Sequence, residues 1–211
     1  MRSQLLLIAK TPVPGQVKTR LCPPCTPEQA ADLAAAAIAD TVATLSAVPA
    51  TRRTVVLSGQ MTVPRGWSRV EQHGDGLGHR LANAFADTAM PGTASVLVGM
   101  DTPQLRVDLL SAAASLLDDA DAVLGHAEDG GWWALGLRDP AAARVLRNVP
   151  MSTAETGDRT ARALQALALR VAPLPVLRDV DTWADAEAVA TSAPQGRFAA
   201  VLTAMRPQGT R

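Results

Sequence analysis

A chain of 211 residues carrying 20 basic and 20 acidic side chains can bury a sizeable single core and has no formal net charge. That balance excludes the basic excess of a nucleic-acid binder, and 47% hydrophobic residues with a mean hydropathy of +0.08 exclude a disordered chain. The apolar run Leu5–Ala9 is too short for a signal peptide, and no stretch reads as the roughly 20 apolar residues that cross a bilayer. A soluble cytoplasmic protein without membrane insertion is expected.

Gln4–Ala9, bounded by a segment rich in proline and glycine, reads as a buried strand, and five prolines and glycines keep Lys10–Cys25 a loop. Thr26-Pro27-Glu28-Gln29 supplies an N-cap, a first-turn proline and a capping-box partner, so a helix should run from about Pro27 to Ser46. Strands follow at Thr54–Leu57 and Arg69–Glu71, then a loop Gly74–Gly78 and a helix His79–Thr88. Ser95–Val98 is a strand, Val107–Leu117 a helix, and Ala122–Leu124 and Trp132–Leu137 are strands around the turn Asp129–Gly131. The pattern ends with a helix Arg159–Leu169, a strand Arg170–Leu174, a helix Trp183–Ala190, and a helix Phe198–Met205 before a frayed tail. Short strands alternating with helices predict one α/β domain. It would be a three-layer α/β/α sandwich with a mostly parallel sheet, its core at about 4–191 and a C-terminal helix and tail at 192–211.

In such sheets ligands bind beyond the carboxyl ends of the strands, which singles out a few loops. Lys10 and Lys18 are the only lysines, and with Gly15 and Arg20 they make a flexible basic loop after the first strand. Such a loop can neutralise a di- or triphosphate; the plain alternative is a solvated loop, and the Walker A spacing is absent. Asp101, just past a buried strand, projects a carboxylate of the kind Mg²⁺ (or Mn²⁺) takes, or else caps the next helix. Asp179-Val180-Asp181-Thr182 repeats that choice at a later strand end. In Glu128-Asp129-Gly130-Gly131 the glycines allow close approach to a ligand, or an ordinary hairpin turn. Gly74–Gly78 lacks the dinucleotide-binding spacing, and Cys22 and Cys25, without a second ligand pair, read as dispensable reduced thiols in a loop.

Taken in order, Ala9–Leu21, Gly78-His79-Arg80, Gly99–Leu105, Ala127–Trp133 and Asp179–Thr182 resemble the DUF2064 family. Its members have the glycosyltransferase-A (nucleotide-diphospho-sugar transferase) fold, shared with the molybdenum-cofactor and 2-phospholactate guanylyltransferases. The resemblance spans about Leu5 to Ala190. It implies that Lys18 and Arg20 bind nucleotide phosphates, that Asp101 and Asp181 hold Mg²⁺, and that Gly76–Gly78 lie near the base. Four residues depart from the family pattern. Gly76 stands where an acidic residue is common, His126 where proline is usual, and Trp132-Trp133 replace tyrosines, so neither can act as an acid.

The leading expectation is Mg²⁺-dependent transfer of a nucleoside monophosphate from a triphosphate to a small phosphorylated or carboxylated acceptor. Lys18, Arg20 and Asp101 would be catalytic. Lys10, Gly15, Gly76, Gly78, Arg80, Glu128, Asp129 and Gly130 would join Lys18 and Arg20 in holding the nucleotide. Such chemistry needs positioning and charge neutralisation more than a covalent nucleophile. The alternatives are sugar transfer from a nucleotide sugar, for which the usual Asp-x-Asp motif is missing at Asp101-Thr102-Pro103, and a catalytically silent nucleotide-binding protein.

Overall fold

Leu5, Leu6 and Leu7 are all fully buried, which requires a sheet covered on both faces, because successive strand side chains point opposite ways. In the computed structural model, which describes residues 2–205, they lie on β1 (Arg2–Lys10), the middle of an N-terminal parallel group. The other strands are β2 (Arg53–Ser58), β3 (Ser68–Glu71), β4 (Thr93–Val98), β5 (Ala122–Ala127), β6 (Trp132–Leu137) and β7 (Val171–Leu177). They form one seven-stranded sheet in the order β3-β2-β1-β4-β6-β5-β7. Only β6 runs against its neighbours β4 and β5, so the sheet is mostly parallel, as the alternating pattern implied.

Helix α1 (Pro27–Ala47) opens with the expected capping box, Gln29 Oε1 accepting from Thr26 N at 2.9 Å. With α3 (Val107–Leu116) it covers the face that carries Leu5, Leu7, Val55 and Val96. The opposite face, with Leu6, Val56, Leu97 and Leu124, is covered by α2 (Gly76–Thr88), a 3₁₀ helix Pro140–Asn148 and α4 (Thr156–Gln165). Outside α1, α5 (Trp183–Ser192) and α6 (Arg197–Met205) enclose a third apolar cluster. Asp40 of α1 caps α6 from outside its own chain segment, accepting from Arg197 N at 3.0 Å and Phe198 N at 2.8 Å. Phe198 and Leu202 are buried in that cluster, so α6 completes a core.

Several expectations change. α1 is long and apolar enough, by length and composition, to cross a membrane, but half of its most apolar window is buried, as in the core helix of a folded domain. Gly76–Gly78 form the first turn of α2 rather than a loop. The 3₁₀ helix was not anticipated; it follows from Ala142, Ala143 and Leu146, which bury against α2. β7 runs on through Pro173 and Pro175, which an edge strand tolerates because only β5 pairs with it. Cys25 is buried in the third cluster with Cys22 packed beside it, and burial together with Cys22 pushes the Cys25 thiol up. Its substitution therefore touches a core, not a bare loop. The frayed tail lies outside the described residues.

Candidate functional site

The carboxyl ends of β1, β4, β5 and β7 open onto one cleft of about 690 Å³. Asp101 enters it from the segment after β4, Asp129 from the β5–β6 turn, and Asp179 and Asp181 from the segment after β7. Because β5 lies between β6 and β7, the last three meet: one carboxylate oxygen from each of Asp129, Asp179 and Asp181 lies within 4.8 Å of the others. Burial, then the nearby Asp129 and Asp181 charges, raises the Asp179 carboxyl to about 6.

The turn that carries Asp129 is held rigidly. Asp129 Oδ1 accepts from Gly131 N at 2.7 Å, and Gly157 N donates to Gly130 O at 2.8 Å. Gly130 has φ +88°, and a Cβ there would lie 2.0 Å from Ala154 O, so only glycine fits.

Lys18 does not occupy an exposed, flexible loop as expected. It adopts φ +49°, its side chain is 7% exposed, and its ammonium sits 2.6 Å from Asp101 Oδ1 and 3.9 Å from Asp181 Oδ1 while donating to Val180 O. The physical reason is charge: two carboxylates and a carbonyl converge there, and the lysine folds back to meet them. Val180 N also donates to Asp101 O at 2.9 Å, tying the two acidic segments together. Arg20, 76% exposed, reaches Asp181 Oδ2 at 3.0 Å from the open side. Among the described residues Lys18 and Arg20 pair with Asp101 and Asp181, which leaves Asp129 and Asp179 without an ion-pair partner. The acidic triad offers hard oxygen donors only, the set that Mg²⁺, Mn²⁺ or Ca²⁺ takes at about 2.0–2.6 Å, and could hold such an ion after slight closure.

The remaining sequence candidates divide. Lys10, Arg20, Arg80, Asp101, Asp129 and Asp181 line the cleft, with Lys10 Nζ donating to Gln16 O at 2.9 Å. Lys18 lies behind the acids rather than on the lining. Gly15 and Gly76 have positive φ with open space around them, which makes them turn residues. A Cβ at Gly78 would lie 2.4 Å from Leu146 O, so that glycine serves packing of α2 on the 3₁₀ helix. Glu128 pairs with Arg178 at 2.6 Å, away from the lining. Asp179, which the sequence reading does not single out, joins Asp129 and Asp181 in the acidic cluster. Met151 and Ser152 on the lining are not reached by any sequence motif, and Trp132, which lies in the Ala127–Trp133 motif, joins them there.

Residues 30–153, more than half of the chain, match the DUF2064 family, described as an uncharacterized protein conserved in bacteria. The basic loop and Asp179–Asp181 lie outside that span. A candidate nucleotide-diphospho-sugar transferase from Desulfovibrio desulfuricans G20 is 27% identical and superposes with a TM-score of 0.87, covering 97% of this chain and 95% of its own. Two more distant structures share the fold. CMP:2-keto-3-deoxy-manno-octonic acid synthetase complexed with CTP is 12% identical, with a TM-score of 0.60 over 92% of this chain and 99% of its own. Rv0371c of Mycobacterium tuberculosis H37Rv, in complex with manganese, is 18% identical, with a TM-score of 0.55 over 90% and 98%. No curated protein matches the sequence.

Proposed function

We propose that this chain, which belongs to the DUF2064 family, is a divalent-metal-dependent transferase that moves a nucleoside monophosphate from a triphosphate to a small acceptor. The observation that carries the reading is the meeting of Asp129, Asp179 and Asp181, within 4.8 Å, with Arg20 and Lys10 on the lining of the same cleft. When bound, the cation would neutralise phosphate oxygens and polarise the α-phosphorus. Asp129, Asp179 and Asp181 would hold it. Lys10, Arg20 and Arg80 would offset charge on the phosphate chain as an acceptor oxygen bonds to the α-phosphorus and pyrophosphate leaves. Lys18 is a positioning residue: it fixes Asp101 and Asp181 and lowers the charge they present. The reading includes a single transferase domain acting in the cytoplasm.

Sugar transfer from a nucleotide sugar is the second reading, favoured by the likeness to the Desulfovibrio protein. Both predict nucleotide binding that depends on the metal. Thermal melts with each nucleoside triphosphate and matching nucleotide sugar, with and without Mn²⁺, test it. A ligand at 100 times its Kd adds about 2.7 kcal/mol, roughly 5–10 °C for a chain of this size. Triphosphates should stabilise more than nucleotide sugars, only with Mn²⁺, and not in Asp181→Asn. The reverse preference moves the assignment to sugar transfer, and no shift with any nucleotide overturns both.

A further inference from the structure

Lys18 is placed as a bound ion would be, not as a surface lysine. Three oxygens from two segments converge on its ammonium: Asp101 Oδ1 at 2.6 Å, Asp181 Oδ1 at 3.9 Å, and Val180 O, to which it donates. Two carboxylates and a backbone carbonyl are the hard donors that a divalent cation takes. The lysine side chain is 7% exposed. Asp101 Oδ1 is a buried atom with no hydrogen-bond partner among the described residues, so the charge of Lys18 is what compensates it.

The backbone is arranged to bring the lysine there. Lys18 has φ +49°, in the left-handed region that a non-glycine residue seldom adopts. Val180 N donates to Asp101 O at 2.9 Å, which holds the two acidic segments together around the ammonium. The other cations of the cleft are engaged differently. Lys10 Nζ donates to Gln16 O at 2.9 Å and Arg80 Nε to Gly74 O at 3.4 Å, and among the described residues neither pairs with these acids. Arg20 reaches Asp181 Oδ2 at 3.0 Å from the open side.

Asp181 belongs both to this group and to the triad with Asp129 and Asp179, whose oxygens lie within 4.8 Å of one another. In two-metal transfer sites the ions stand about 3.5–4 Å apart, a spacing that one shared carboxylate can bridge. An ion in the triad and the Lys18 ammonium would share Asp181 in that way.

We infer that the Lys18 ammonium fills the place of a second cation. The site then works with one divalent ion, held by Asp129, Asp179 and Asp181, and one monovalent cation supplied by the chain itself. Asp101 seats the ammonium and is not a ligand of the divalent ion, which takes it out of the metal-binding pair implied by the family resemblance. The inference rests on the transferase reading above and fixes its metal requirement at one ion per chain.

Titration of the nucleotide-free protein with Mn²⁺ tests it. Wild type should bind one Mn²⁺ per chain by calorimetry, with the electron paramagnetic resonance spectrum of an isolated ion. Lys18→Gly suits φ +49° and leaves the place of the ammonium open. It should bind two ions, and its spectrum should be that of a coupled pair about 3.5–4 Å apart. Adding Asp101→Asn to Lys18→Gly should return the count to one. Circular dichroism checks that each variant folds; Lys18→Ser replaces the glycine variant if that one does not, and the wild-type count stands as a test by itself. Two ions in wild type, one in Lys18→Gly, or two in the double variant overturns the inference and leaves the transferase reading in place. No Mn²⁺ bound by wild type overturns both.

Discussion

Replacing Lys18 with methionine keeps most of the side-chain stem and removes the ammonium. Asp101 Oδ1 then loses an ion-pair partner at 2.6 Å, Asp181 loses one at 3.9 Å, and Val180 O loses a donor. Breaking a fully buried pair costs about 3–5 kcal/mol, and an exposed pair is worth less than about 1. Here the ammonium is 7% exposed, but Asp101 and Asp181 are 42% and 36% exposed. Water can therefore resolvate the carboxylates in part, and about 1.5–3 kcal/mol is the appropriate range. For a chain of this length that lowers Tm by roughly 3–12 °C. Thermal melts of wild type, Lys18→Met, Asp101→Asn and the double variant measure it. The double variant should lose about 1–2 kcal/mol less than the two single losses combined. A Lys18→Met protein that melts with the wild type, or strictly additive losses, would refute the argument that the lysine holds the acidic segments together.

Two further outcomes follow from the same geometry. The Asp179 carboxyl is raised to about 6 in the fold, above its unfolded value, so the native state binds the extra proton. The ion-free protein should thus gain stability as pH falls through about 6, because protonation relieves first the burial of a charged carboxylate and then its repulsion with Asp129 and Asp181. Mn²⁺ must displace that proton, so the melting shift it gives at about pH 7.5 should shrink by about pH 5; an undiminished shift at the lower pH excludes Asp179 as a ligand. Gly130→Ala places a Cβ 2.0 Å from Ala154 O at φ +88°, whereas Gly15→Ala meets open space at φ +73°. Denaturant unfolding should show about 1–2 kcal/mol for Gly15→Ala from the backbone alone and clearly more for Gly130→Ala, with weakened Mn²⁺ binding. Equal losses would mean that the hairpin is not clamped.

The strands and the sheet edge at which the cleft opens were legible because both follow from short-range pattern. Thr54–Leu57 and Ser95–Val98 announce themselves by composition, and the strand-end rule then selects Lys10, Lys18, Arg20 and Asp101. What pattern cannot carry is strand order. Asp129 and Asp179 become neighbours only because β7 pairs with β5, and nothing in either segment encodes that pairing. The burial of Lys18 was hidden for the same reason: its partner Val180 O is 162 positions away. Gly78 reads like a ligand-binding glycine until the 3₁₀ helix against it is known, and that helix is marked only by the Asp139-Pro140 start, a few alanines and Leu146, a pattern too short to show what it packs on.

The capping of α6 by Asp40 bears on how the chain is made. Asp40 and Arg197 are 157 positions apart. At about 5–20 residues per second, the outer face of α1 waits roughly 8–30 s on the ribosome before its cover is synthesised. During that interval a 21-residue helix, apolar enough to pass for a membrane span, has only Leu21 and Cys25 of its buried third-cluster partners outside α1 and lacks those of α5 and α6. Apolar surface left open in this way is what makes a nascent chain prone to aggregation, and a ribosome that pauses between the two helices lengthens the exposure.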